Sequence, residues 1–557
     1  MSIRQTPSHS QVRPDSIFHG GAIVTMRPTE PTALAEAVAV KDGRILAVGA
    51  KADILALAGP ETMVEDLRGL TMLPGFIDAH GHFPWNGNDA LYGVTLFSPP
   101  IGHITDMTGL VAALQKRTRT LSPGQWLFGR GYDQSLLAEN RHPTRADLDQ
   151  VSASRPILIV HMSAHVGVAN SAALHLAGIT RHTPDPVGGV IGRDARGEPN
   201  GILEGPPAYT LVEDIMPPRT LAQNLAGIRK ACEIYAGAGV TTVQNGWAFR
   251  SDLDLLEKAN ASGDLLLRVV IWPFAKTYQD MAEFPSTRSG TDLSGDNMIT
   301  LGAAKLWADG SIYVHTAWLS QPYHVTPEGQ PHYRGFPRFK DKAQLTDMVK
   351  KLHAAGWQIA IHTSGDQAIQ DSLDAWAEAQ AETPRPDARH VSVHAHTARE
   401  DQLERMRELG ISPSFFVTHT YFFGDRHWDI FLGPDRARRL TPCRTALDRG
   451  LRITLHNDAP VTPVSPLMSV WSAVNRLSSG GREIGPELKI SVPEALRAVT
   501  MDAAWQNFQE GIKGSIEPGK LADLVMLEDN PLEVEPLRIK DIKVVRTIVG
   551  GRTVYQA

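Results

Sequence analysis

The sequence predicts an α/β protein: a (β/α)8 TIM barrel carrying a composite β-sandwich domain from both termini and an inserted subdomain. Three observations predict it. Eight short apolar runs recur through the middle of the chain, most followed by an amphipathic segment, which is the alternation of parallel strands with crossover helices. Both ends read instead as β-branched runs broken at glycines. The interval from about Trp85 to Gln223 is far longer than an ordinary crossover, so it is expected to be an insertion. A chain of 557 residues also exceeds what one hydrophobic core usually serves, so satellites are expected around the main domain. An open, doubly wound sheet is the competing architecture for the middle.

Residues 1–72 form the first part of the sandwich, with strands in Ile17–Met26 and Ala37–Gly49 and a hairpin turn at Asp42-Gly43. The barrel spans 73–510, with the insertion at about 85–223. Its first strand precedes Asp78-Ala-His-Gly-His82. The others are Gly239–Val243, Leu266–Ile271, Ile299–Ala304, Gln358–Ile361, His390–Val393, Ile411–Phe415 and Leu451–Leu455. Among the intervening helices, Lys340–Ala355 and Arg399–Leu409 repeat apolar residues at three- and four-residue steps. Residues 511–557 close the sandwich with β-rich Gly514–Leu527 and Val544–Tyr555, since chain ends often lie close together.

Composition narrows the function. No apolar run approaches the ~18 residues that span a bilayer, so a membrane protein is not expected. A net charge of −6 over this length gives no reason to expect nucleic acid. The expected partner is a small-molecule substrate, and a homodimer is left open. Cys232 and Cys443 are too few for a disulfide framework or a thiolate zinc site, which fits a reducing compartment. The opening Met1–Pro7 lacks the basic-then-apolar pattern of a signal peptide, so the expected location is cytoplasmic.

The predicted strand ends carry the chemistry. If the first strand runs through them, His80 and His82 share a face and can grip one ion. Lys305 ends the fourth run, His362 the fifth and His394 the sixth, and Asp458 follows the eighth. A barrel aims the C-terminal ends of its strands at one point. Each residue alone reads as an ordinary packed histidine, an ion-pair partner or a helix cap; six together read as a site for a zinc-class metal. A lysine there is open to carbamylation, which would give a bridge between two ions. Further candidates touch the substrate: Tyr132 and His165 from the insertion, Trp307 and Asp309 after the fourth run, His396 beside His394, and His419 in the aromatic run Phe415–His427. There is no Gly-x-Ser-x-Gly elbow, which leaves a serine hydrolase little support.

Pro74–His82, Lys305, His362–Asp366, His394–His396, Asn457–Pro460 and Gly514–Asp523 together resemble the amidohydrolase superfamily, and within it the branch that contains N-substituted formamide deformylase. The resemblance implies a metal-dependent barrel hydrolase using one or two divalent ions, Zn2+ first among them. It implies His80 and His82 on the more buried metal, Lys305 as the carbamylated bridge, and His362 and His394 on the second metal. Asp458 is then both ligand and proton shuttle. The branch often has His-Ala-Gln where this chain has His394-Ala-His396, which leaves two imidazoles as possible ligands at that strand end. The expected reaction is hydrolysis of a C–N bond in a small amide such as an N-substituted formamide. Cyclic imides, ureas, carbamates and esters are alternatives. So is a non-catalytic binding or regulatory protein on the same barrel, although binding alone needs no shuttle such as Asp458.

Overall fold

Strands from the two ends of the chain share one sheet in the computed structural model, which describes residues 12–186 and 188–557. Thr71–Pro74 pairs antiparallel with Leu524–Leu527 at the centre of eight strands, and Ser16–Val24 lies on its other side. The packed side buries Phe18, Ile23, Val38, Met72, Leu524 and Met526, the alternate positions of strands with one apolar face. The expected hairpin is present: Asp42 and Gly43 both have positive φ, as a two-residue turn matching the strand twist requires. A side chain at Gly43 would meet the Gly550 carbonyl at 2.9 Å. The reading of Met1–Pro7 falls outside the described residues.

Each of the eight predicted runs yields a parallel strand or abuts one. They are β1 (Phe76–Ile77), β2 (Val240–Ala248), β3 (Arg268–Pro273), β4 (Ala304–Trp307), β5 (Ile359–Thr363), β6 (Val391–His394), β7 (Ser412–Phe415) and β8 (Thr454–Leu455). A short strand, Ile299–Leu301, leads into β4 through Gly302-Ala303. Two parallel sheets result. One runs β1-β2-β3 to Ile299–Leu301 and the other β4-β5-β6-β7-β8, and a parallel bridge between Phe274 and Lys305 joins them. Gln506 links the outer strands, its amide donating to Ala79 O at 2.9 Å and accepting from Thr454 Oγ1 at 2.7 Å. The strands are buried on both faces, as parallel strands covered by helices are. Their C-terminal ends point one way.

One expectation needs correcting. The strand before the histidines stops at Ile77, so His80 and His82 sit on the loop beyond it, and two-residue alternation does not set their direction. β1 runs parallel to β2, yet His82 bridges Asn245 antiparallel, so the chain has turned over between them.

Two compact units divide the chain. One comprises the residues up to His82, Cys232–Asp458 and Val464–Ala557, and the other comprises Phe83–Ala231 with Ala459–Pro463. The second unit has its own six-stranded sheet, in which Leu127–Tyr132 and Ile157–His161 run parallel and Val166–Ala169 and Pro199–Glu204 antiparallel. Its core packs Leu110 and Leu114 of helix Met107–Thr118, whose first turn is capped by Asp106, with Leu127 and Ile159 of the sheet. Among the described residues no helix is long and apolar enough to cross a membrane.

Candidate metal centre

The strand ends of the first unit bring imidazole, amine and carboxylate together. One ligand atom each from buried His80, His394 and Asp458 lies within 4.8 Å of the others. Around them, His82 Nε2 is 3.2 Å from Asp458 Oδ1, His80 Nε2 is 3.5 Å from the same oxygen, and Lys305 Nζ is 3.2 Å from His80 Nε2. The His362 ring lies 4.5 Å from that of His394. All six strand-end residues expected from sequence therefore fall in one cluster. Oxygen and nitrogen donors at this spacing, mostly withdrawn from water, fit a zinc-class ion, which takes mixed His and carboxylate ligands.

The backbone is bent to present them. His394, Ala395 and Asp458 have φ of 72°, 45° and 52°, the left-handed region where a residue with a Cβ costs about 1–3 kcal/mol. The Ala395 N–H donates to Thr363 O at 3.0 Å, which ties the turn to β5. Two rings are aimed from behind. His80 Nδ1 lies 2.9 Å from Gln244 Oε1 and His362 Nδ1 lies 3.0 Å from Asp309 Oδ1; both oxygens accept the ring proton, which leaves each Nε2 bare. Gly246 leaves room for this, since a Cβ there would stand 2.2 Å from His80 Cε1.

Burial dominates the electrostatics. It drives His80 and His394 well below the usual imidazole range, so both are neutral, the form that coordinates a metal. It also pushes the Lys305 ammonium down to about 7. For Asp458, burial favours the acid, but the neighbouring His82, 3.2 Å away, outweighs it and the carboxyl is held below its ordinary range.

The remaining expectations divide. Trp307 meets the edge of His362 at 5.7 Å. His396 stacks on His394 at 5.6 Å, and the His419 ring lies tilted against His396 at 4.0 Å, so both extend the cluster. Asp309 is used differently from a pocket residue. It is fully buried, and its oxygens accept from His362 and from the backbone N–H groups of Ser364, Gly365 and Trp318, so it orients the His362 ring. Tyr132 and His165 belong to the second unit. Tyr132 is wholly buried there with its hydroxyl 3.0 Å from His142 Nδ1, and the His165 N–H donates to Ser163 Oγ at 3.2 Å. Sequence reading missed Gln244 and His456. His456 lies 5.3 Å from His80 and 5.1 Å from His394, ring to ring. Its place two residues before Asp458 was the available signal.

The model of the amidohydrolase family matches residues 63–555. The chain is 30% identical over 531 residues to N-substituted formamide deformylase of Arthrobacter pascens, covering 94% of this chain and 95% of that protein. Among solved structures it is similar to an uncharacterized metal-dependent hydrolase from Pyrococcus furiosus, with a TM-score of 0.73 and 25% identity over 93% of this chain and 100% of that one. A second, from Pyrococcus horikoshii OT3, shares the fold with a TM-score of 0.74 at 23% identity over 94% of this chain and 99% of that one.

Proposed function

Because this chain belongs to the amidohydrolase family and is a hydrolase acting on carbon–nitrogen bonds, we propose that it cuts a small-molecule amide, with an N-substituted formamide as the leading substrate. The observation that carries the chemistry is the convergence of His80, His394 and Asp458 within 4.8 Å from distant parts of the chain. The formamide is supported by the relative from Arthrobacter pascens and by the aromatic residues after β4 and β7. His80, His82, His362, His394 and Asp458 would hold one or two divalent ions, Zn2+ first, with Lys305 as a carbamylated bridge. Carbamylation needs the neutral amine, and a lysine pushed down to about 7 supplies it. The eight parallel strands are read as a closed barrel over 73–510, flanked by the terminal sheet.

A divalent ion held there would supply Lewis acidity toward the substrate carbonyl and toward water. The side chains do the rest. Asp458, held as carboxylate, accepts the proton of the attacking water and returns it to the departing nitrogen, because an amine leaves far more easily once protonated. Gln244 and Asp309 keep the His80 and His362 rings in the tautomer that faces inward. His419 and His396 would contact the substrate.

A panel on the purified, metal-loaded protein tests the reading, with amine release from N-benzylformamide set against turnover of a cyclic imide, a urea, a carbamate and an ester. The formamide is expected to give the highest kcat/KM. Faster turnover of another member would replace it as the substrate class, and no hydrolysis of any member with metal fully bound would favour a binding protein.

A further inference from the structure

Two pairs of buried histidines are joined ring to ring, and they differ in what lies at their outer ends. In the first, His353 Nε2 is 2.7 Å from Thr383 O and must donate, while His390 Nδ1 accepts from the Ile359 N–H at 2.9 Å. The contact between them, 2.8 Å, is therefore His390 Nε2–H donating to His353 Nδ1. Every ring nitrogen has a partner and both tautomers are fixed. In the second, His419 Nδ1 and His427 Nε2 are 3.0 Å apart, but His419 Nε2 and His427 Nδ1 reach no partner among the described residues. Both rings are almost wholly buried. His396, whose ring is stacked on that of the ligand candidate His394 and tilted against that of His419, likewise has neither nitrogen paired among the described residues.

Two neutral imidazoles carry two protons between them. One lies in the His419–His427 bond, so the other is an unpaired N–H, either on His427 Nδ1 or on His419 Nε2. A buried donor without an acceptor is rare and costly. The His427 ring is packed by Phe423 and Phe431, which offer nothing to accept it. His419 instead adjoins His396 and, through it, the strand-end cluster, where a substrate would sit.

We propose that His427 Nε2–H donates to His419 Nδ1, so that His419 presents its Nε2–H to the substrate carbonyl oxygen as negative charge gathers there. His427 is thus a positioning residue acting through His419. This rests on the amide-hydrolysis reading above, and one arm of its test does not depend on activity. That arm is the long-range 15N–1H spectrum of histidine-labelled, metal-loaded protein, with His419→Asn for assignment. The expected result is His419 protonated on Nε2 in the wild type and in His427→Gln, whose amide can still donate. Protonation on Nδ1 in the wild type overturns the proposal even if no amide substrate is found. The kinetic arm uses His427→Leu, which can neither donate nor accept. It is expected to lose about 10- to 100-fold in kcat, with KM within about twofold and metal content unchanged, while His427→Gln stays within about threefold of wild type. Equal losses in both variants would mean packing alone, and a change in KM alone would mean ground-state binding; either overturns the proposal. If the Leu variant fails to fold, the spectrum of the wild type still decides.

Discussion

One histidine immediately precedes strand β6 and another ends it, and the two behave oppositely. His390, just before it, has both ring nitrogens engaged by the Ile359 N–H and by His353. His394, its last residue, has a left-handed backbone, an Nδ1 without a partner among the described residues, and four other imidazoles within 6 Å of its ring, His80, His362, His396 and His456. The same side chain is a satisfied core group at one end of the strand and a strained, open donor at the other. The N-terminal ends of such strands are invested in stability and the C-terminal ends in chemistry. Burial alone does not distinguish them, because both rings are buried; the count of unpaired nitrogens does.

Substitutions at the C-terminal ends should break function first. His394→Ala and Asp458→Asn are expected to lower kcat by about a thousandfold or more, since on the proposed function one removes a metal ligand and the other the proton carrier. Metal analysis should separate them, with content falling in His394→Ala and largely kept in Asp458→Asn. Unchanged turnover in Asp458→Asn would remove that residue from the mechanism. Asp309→Asn should act less strongly, weakening metal affinity by about 10- to 100-fold through a misdirected His362, as read by competition with a chelator. Wild-type affinity there would leave Asp309 as a loop tether only.

At the N-terminal end the order reverses. His390→Ala strands the Ile359 N–H and His353 Nδ1, so unfolding in urea should show a loss of about 2–5 kcal/mol while turnover per folded molecule stays at the wild-type level. A stable but inactive variant would contradict the division. The smallest effect is in the acid limb of stability. Burial keeps His390 neutral in the folded state, far below its ordinary 6.5. Below about pH 6.5 the unfolded chain therefore binds a proton that the folded chain refuses, and stability falls as pH falls, by up to about 1.4 kcal/mol per unit until the folded value is reached. His390→Gln should flatten that slope by one histidine's share, and an unaltered slope between pH 6.5 and 5 would show that His390 is not held neutral.

Much of this division was legible in the chain. Lys305, His362 and His394 end apolar runs and Asp458 follows one, and a parallel α/β architecture gathers such ends, so four of the six cluster residues could be placed without coordinates. His80 and His82 were found for a reason that does not hold. β1 is two residues long, and the loop after it, guided by Gln244 and Gly246, does the aiming. Asp309 looked like a pocket residue because its acceptors' partners, the N–H groups of Ser364 and Gly365, lie more than fifty positions away. His427 gave no readable role. It begins a π-helical turn, His427–Phe431, whose spacing follows neither strand nor helix periodicity, and its contact with His419 exists only once that turn has formed.

The most direct test of the central claim is an anomalous difference map at the absorption edge of whichever metal accompanies the active protein. The account predicts density in coordination range of His80, His394 and Asp458, with His82 and His362 at its margin. Density in some other part of the molecule, or crystals of fully active protein with none, would contradict it.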